Sequence, residues 1–355
     1  MPDTMLPLPD DQAVDLLEGL VRIQSLSTQE HAAVAWFVAE MRGLGLEAHV
    51  DTAGNAVGVI GDGPRQIVLL GHIDTVGGVV PVRREAGQLY GRGSVDAKGP
   101  LATFVVAAAR ARIPDGWQVV VIGAVEEEYA TSKGARYAAT EYRPALCVIG
   151  EPSSWDRITL GYKGRLLLRY RLAQPVAHTA GQAIGAPEVA VDFWNRVAAW
   201  AAAYNEGRER VTGQVTPSLR DIHTANDGLT ETAELLIGVR LPVGLAPDEA
   251  AAALAALAGD AQVEFSGHET AYRADKNNVL ARGFLRAIRG EGGTPAFKVK
   301  TGTSDMNVVG PVWNVPIVAY GPGDSSLDHT PHEHVAMDEY LRAIRVLTAV
   351  IEGLE

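Results

Sequence analysis

Three short runs made only of apolar residues constrain this chain most: Ile67-Val68-Leu69-Leu70, Val119-Val120-Val121-Ile122 and Leu146-Cys147-Val148-Ile149. Each is too short for a helix and apolar at every position rather than at every second one. A strand buried on both faces reads this way, so the runs predict central strands of a sheet covered by helices. A fourth strand is predicted at 315–320. Helical spacing covers 10–24, with Asp10 or Asp11 as cap, and 29–43, ending at Gly43. Strand-like segments at 47–51 and 55–60 precede the first apolar run, which extends over 66–71. An Ala-rich helix is predicted at 97–112. Strands alternating with helices give an α/β fold: a largely parallel-core mixed sheet flanked by helices.

The pattern changes near 162. Arg165, Arg169 and Arg171 alternate with Leu166, Leu168 and Tyr170, which predicts a strand with one basic face. A helix at 187–205, a strand at 232–241, a helix at 247–258 and a strand at 261–266 follow. After Asn277-Asn278 the first pattern resumes and closes with a helix over 336–353. The chain therefore divides into a domain formed by 1–162 and 276–355 and an inserted α+β domain, 163–275.

Acids and histidines gather where the predicted strands end. His72 and Asp74, in Gly71-His72-Ile73-Asp74, are two apart and share a face. An imidazole beside a carboxylate suits a metal ligand and its orienting partner, although a solvated loop would look the same. Asp96 stands in a glycine-rich turn just before a helix, where the alternative is a helix cap. Glu126-Glu127-Glu128 follows residues 119–125, and adjacent carboxylates need solvent or a cation to offset their repulsion. Glu151 follows the third apolar run. Asp328-His329-Thr330-Pro331-His332-Glu333-His334 lies beyond the fourth strand. Carboxylates and imidazoles from five separated segments suit a borderline-soft divalent ion such as zinc or cobalt.

Lys plus Arg minus Asp plus Glu gives 31 − 43 = −12, which argues against nucleic acid or an anionic membrane as partner. Cys147 is the single cysteine and lies in an apolar run, so a core residue in a reducing compartment is expected. The first residues lack a basic segment followed by an apolar core, and no apolar run approaches spanning length. A soluble cytoplasmic protein is the expectation.

In the order and spacing of these motifs the chain resembles the dinuclear metallohydrolases that include acetylornithine deacetylase, succinyl-diaminopimelate desuccinylase and related aminoacylases and carboxypeptidases. The resemblance implies two divalent ions, zinc first and cobalt second. It makes His72 and Glu151 ligands of one ion, Glu128 and His329 ligands of the other, and Asp96 the bridge. Asp74 would orient His72 and Glu127 would be the general base, with Glu126 in a non-catalytic place. His332 and His334 match no ligand position. The insert resembles a lid and dimerisation domain. Its His178, in Pro175-Val176-Ala177-His178-Thr179, would reach the neighbouring subunit's site and stabilise the oxyanion. Arg240 would grip the substrate carboxylate. Thr303-Ser304-Asp305-Met306-Asn307 departs from the commoner Thr-Asp pair.

Gly150-Glu151-Pro152-Ser153, Leu160-Gly161-Tyr162-Lys163-Gly164-Arg165 and residues 323–331 resemble, within that group, the hydrolases that release lysine or ornithine from an acidic amino-group carrier protein. The implied reaction is cleavage of the amide between the carrier's C-terminal glutamate and the α-amino group of the product, in lysine or arginine biosynthesis. The face of Arg165, Arg169 and Arg171 would either meet that carrier or pair with acids on neighbouring strands. A homodimer or higher oligomer is implied. Deacylation of acetylornithine, acetyllysine or succinyl-diaminopimelate is the alternative, and a non-catalytic metal-binding module the remote one.

Overall fold

The computed structural model describes residues 8–178, 181 and 183–355. By contacts they form two compact units, one of residues up to 161 with 274–298 and 304–355, the other of 162–273 with 299–303.

The first unit begins with helices α1 (Asp10–Arg22) and α2 (His31–Gly43). Strands β1 (Glu47–Val50), β2 (Ala56–Gly61) and β3 (Arg65–His72) follow, then the short β4 (Arg83–Glu85) and β5 (Gln88–Tyr90). Helix α3 (Lys98–Arg110), β6 (Trp117–Ala124), α4 (Lys133–Glu141), β7 (Leu146–Gly150) and β8 (Arg157–Tyr162) complete its first stretch. The second unit carries β9 (Gly164–Pro175), α5 (Ala186–Asn205), β10 (Thr216–Asn226), β11 (Thr230–Leu241), α6 (Pro247–Ala255), β12 (Gln262–Glu269) and β13 (Tyr272–Arg273). The chain then adds α7 (Val279–Gly290), β14 (Ala296–Lys300), α8 (Asp305–Trp313), β15 (Ile317–Tyr320), β16 (His334–Ala336) and α9 (Met337–Glu352).

In the large sheet the order runs β1-β2-β6-β3-β7-β15-β8. β6, β3, β7 and β15 are parallel to one another, while β2 and β8 are antiparallel to their neighbours, so the sheet is mixed with a parallel centre. The three all-apolar runs are its central strands, and Ile67 to Leu70, Val119 to Ile122 and Leu146 to Ile149 are buried throughout. At about 25 cal/mol per Å² of apolar area removed from water, such doubly covered strands dominate the unit's stability. Helices α1, α3, α7 and α9 contribute Leu17, Leu20, Phe104, Phe284, Ile344 and Leu347 to one core with them.

The second unit is a four-stranded antiparallel sheet, β10-β11-β9-β12. Leu166, Leu168 and Tyr170 of β9 face its core, with Tyr170 stacked on Phe193 of α5 at 4.4 Å between ring centroids. The long edge strand β10 has no counterpart in the sequence reading. Thr-Pro-Ser-Leu-Arg-Asp-Ile-His-Thr-Ala-Asn has little apolar periodicity, and pairing with β11, not burial, holds it extended. No helix among the described residues is long and apolar enough to cross a membrane.

Candidate active site

Parallel strands place the chemistry. β3, β6 and β7 run side by side, with His72 registered against Ala124 and Gly71 against Gly150. The segments leaving these strands therefore emerge at one edge of the sheet, as expected for sites in parallel α/β structures. His72 ends β3, Glu126 to Glu128 follow β6, and Glu151 follows β7. Asp96 arrives from the turn before α3 and His329 from the loop after β15.

The structure brings these side chains together. His72, Asp96 and Glu151 offer ligand atoms all within 4.8 Å of one another, and so do Asp96, Glu128 and His329. Asp96 belongs to both groups. Its Oδ1 lies 3.3 Å from His72 Nε2 and its Oδ2 lies 3.0 Å from His329 Nε2. His329 Nε2 is also 2.7 Å from Glu128 Oε1. A third set, His72, Glu127 and Glu128, also falls within 4.8 Å. One carboxylate shared between two nitrogen-and-oxygen donor sets fits a pair of divalent ions in both ligand chemistry and number. Asp96 is not a helix cap: Ala97 holds that place in α3 and no side chain caps it.

Asp74 is fully buried behind His72. His72 Nδ1 lies 3.0 Å from the Asp74 carbonyl and 3.4 Å from its Oδ1. The same carboxylate accepts from Ser27 Oγ at 2.7 Å and from the backbone N–H groups of Glu127 and Glu128 at 3.1 Å each. Asp74 thus sets both the imidazole and the turn that carries the two glutamates. Glu126 turns elsewhere, accepting from Thr131 Oγ1 at 2.6 Å, and its own N–H donates to Glu30 Oε1.

Glu333 is a structural residue that the sequence reading missed. Its buried carboxylate accepts from the N–H groups of Gly93, Val95 and Asp96 at 2.9, 3.1 and 3.1 Å, and from Arg92 Nη1 at 2.6 Å. It fixes the loop that delivers Asp96. Gly93 in that loop has φ +85°, and a Cβ there would sit 2.8 Å from Thr75 Cγ2. Only glycine fits without a shift. Lys98, also buried, donates to the carbonyls of Leu20 and Ile23, and burial lowers its pKa to about 7 against the pull of Glu333 and Asp74.

Negative charge dominates the cluster. Burial alone would lower the His72 pKa, but Asp74, Asp96 and Glu127 hold it well above the ordinary imidazole value. Hydrogen bonds to Asp96 and Glu128 raise His329 to about 10. Burial would raise Asp96, yet the two histidines keep it below the usual carboxylate range. Burial pushes Glu127 well up, and Asp305, Glu151 and Glu128 add to the rise. The ion-free cluster therefore holds protons at neutral pH that cations must displace. Because both imidazole pKa values are raised, these protons are bound below that range and leave only as pH increases. Ion affinity is expected to climb about tenfold per proton per pH unit between pH 6 and 8. Calorimetry of zinc binding in two buffers of different ionisation enthalpy should register at least two protons released; release of none would contradict the assigned cluster.

His178 and Arg240 lie in the second unit. His178 is exposed just after β9, and its carbonyl accepts from Gly181 N at 2.7 Å; Thr179 lies outside the described residues. Arg240, near the end of β11, donates from Nη1 to Thr303 Oγ1 at 2.9 Å. Lys163 donates to Val211 O and Thr216 Oγ1, and burial together with Arg240 lowers its pKa to about 8. On the basic face of β9, Arg169 and Arg171 sit 3.9 and 3.4 Å from Glu234 of β11, which favours pairing with a neighbouring strand for those two. Cys147 is a buried free thiol whose pKa burial raises, as suits an inert core residue.

A model of peptidase family M20/M25/M40 matches residues 68–353. The chain is 50% identical over 360 residues to the LysW-lysine hydrolase of Deinococcus radiodurans, covering 99% of each protein. It is 39% identical to a putative LysW-lysine/LysW-ornithine hydrolase of Thermococcus kodakarensis, covering 98% of this chain and 94% of that one. Its fold is similar to the M20 family metallo-carboxypeptidase Sso-CP2 from Sulfolobus solfataricus, with TM-score 0.75 and 16% identity over 96% of this chain and 99% of that one.

Proposed function

The chain belongs to peptidase family M20/M25/M40, and from that membership we propose that it is a metal-dependent amide hydrolase releasing lysine, ornithine or both from a LysW-type carrier protein. The observation that carries the chemistry is Asp96 shared between two donor groups, with Glu127 beside them. The substrate reading is supported by 50% identity, along the whole chain, to a protein named LysW-lysine hydrolase. An acidic amino-group carrier whose C-terminal glutamate is amide-linked to the product is the substrate, and the cytoplasm is the site of action.

His72 and Glu151 would hold one divalent ion, Glu128 and His329 the other, and Asp96 both; zinc is the first choice and cobalt the second. When bound, such ions supply Lewis acidity at the scissile carbonyl and a water made acidic enough to attack at neutral pH. Glu127 takes that water's proton on its carboxylate and delivers it to the departing α-amino nitrogen. Asp74 keeps the His72 ring and the Glu127-Glu128 turn in place. Arg240 presents a fork of N–H donors to the α-carboxylate of the departing amino acid.

We assign the insert, residues 163–275, as a lid and dimerisation domain. β10 is an edge strand with exposed Ile222, and Leu229 in the β10–β11 turn is 82% exposed, which suits contact with a second copy. His178 would act in the partner's site as an oxyanion donor. Mixing His178→Ala with Glu127→Gln, each nearly inactive, is then expected to restore about a quarter of wild-type activity. Half of randomly exchanged dimers are hybrids, and each has one intact site. No recovery under demonstrated subunit exchange would remove His178 from the mechanism.

The substrate is tested by comparing carrier-linked lysine and ornithine with acetyllysine, acetylornithine and succinyl-diaminopimelate. The carrier-linked substrates are expected to have kcat/KM higher by about 10² or more, because the carrier adds contacts that a free acyl group lacks. Equal or better turnover of the small acylated amino acids would favour the deacylase reading.

A further inference from the structure

The first unit contains a cavity of about 530 Å³ at the end of its sheet opposite the metal cluster. Arg65, Trp117 and Leu146 line it where β3, β6 and β7 begin, whereas His72, Ala124 and Gly150 end those strands. Eight residues of β3, at about 3.3 Å per step, put roughly 23 Å between Arg65 and His72.

Its cationic wall is organised. Arg282, Arg286 and Arg289 are spaced i, i+4 and i+7 on α7, so they share a face of the helix. The other face buries Leu280, Phe284 and Ile288 in the core. Arg65 comes from the sheet, its guanidinium stacked 4.2 Å above the Trp117 ring. The guanidinium groups of Arg286 and Arg289 make no ion pair or hydrogen bond among the described residues. The Arg282 guanidinium donates to the Asn277 carbonyl just before its own helix. In other parts of the first unit Arg84, Arg92, Arg110 and Arg345 each reach a carboxylate within 3 Å. Here four exposed arginines line one cavity, with Glu355 the one acidic residue among those lining it. Leu285, Val350 and Leu354 make part of the remaining wall apolar.

We propose that this cavity binds a small organic anion carrying two or more negative charges and an apolar portion, at a site separate from the metal cluster. Guanidinium forks match carboxylate and phosphate alike, and the volume falls in the range of small-molecule sites. At roughly 23 Å from His72 the ligand does not compete with substrate.

The test is calorimetric titration of the full metal-loaded chain with two probes, ADP for phosphorylated ligands and suberate for apolar dicarboxylates. At least one is expected to bind with Kd below about 1 mM. Binding of ADP alone identifies the phosphorylated class, and of suberate alone the dicarboxylate class. Arg286→Ser with Arg289→Ser should weaken it about tenfold or more, with kcat and metal content unchanged. Arg65→Gln provides an independent variant should the double substitution fail to fold. Asp96→Ala should still bind the probe, which separates this cavity from chelation at the metals. Absence of binding by both probes, undiminished binding in the arginine variants, or loss of binding in Asp96→Ala would overturn the proposal.

Discussion

Glu127→Gln is expected to lower kcat by about 10³-fold or more while both ions remain bound. General base catalysis contributes on the order of 10²–10⁴-fold, and a residue that both accepts and returns the proton lies at the upper end. The amide is isosteric and neutral, and burial already favours the neutral acid at this position. The fold therefore loses little, because an uncharged side chain is what burial favours there. Neither ligand group that contains Asp96 includes Glu127. Metal analysis after dialysis should show the same content as wild type, and thermal melting should shift little. Turnover within tenfold of wild type would remove Glu127 from the role of base.

Asp96→Ala is expected to have a larger effect on metal content than any other single substitution in the cluster. Asp96 joins the His72–Glu151 and Glu128–His329 pairs, so its loss leaves His72 with Glu151 and His329 with Glu128. Each ion would lose one of three protein ligands, and with it several kcal/mol of transition-state stabilisation, or about 10³-fold in rate. The carboxylate is also the first cause of the raised His329 pKa and, after Asp74, adds to that of His72. Its removal should therefore shift the histidine titration down as well as release metal. By comparison, His329→Ala touches one group and should leave one ion. Retention of two ions in Asp96→Ala would contradict the shared-ligand geometry.

Much of this is legible because the central strands are apolar up to the histidine or acids that end or follow them. With Ile67 to Leu70, Val119 to Ile122 and Leu146 to Ile149 as strands of a largely parallel core, His72, the glutamate run and Glu151 are expected at one edge, and the observed register of β3, β6 and β7 places them there. The ambiguity of His72 and Asp74 as a pair was resolved by what else arrived there. The roles of Asp74 and Glu333 toward backbone were less legible. Glu333 binds N–H groups some 240 positions away in the chain, and nothing in its local sequence marks that partnership. β10 was missed because its polar, exposed residues carry no periodic signal and its conformation depends on β11. Arg169 and Arg171 were ambiguous for the opposite reason: alternation gave their face, but only the strand register brought Glu234 beside them. The arginines of α7 have clear helical spacing, yet their shared cavity depends on β3, β6 and α9 packing beside them.

The central claim is that Asp96, Glu127 and their neighbours cleave lysine or ornithine from a carrier protein. Intact-mass spectrometry tests it most directly, with the host's carrier bearing either amino acid incubated with wild type and with Glu127→Gln. The wild type is expected to shorten the carrier's mass by one lysine or ornithine residue and to release that free amino acid, while Glu127→Gln leaves the carrier unchanged over the same time. An unchanged carrier in the presence of a wild-type preparation that hydrolyses acetyllysine or acetylornithine would contradict the account.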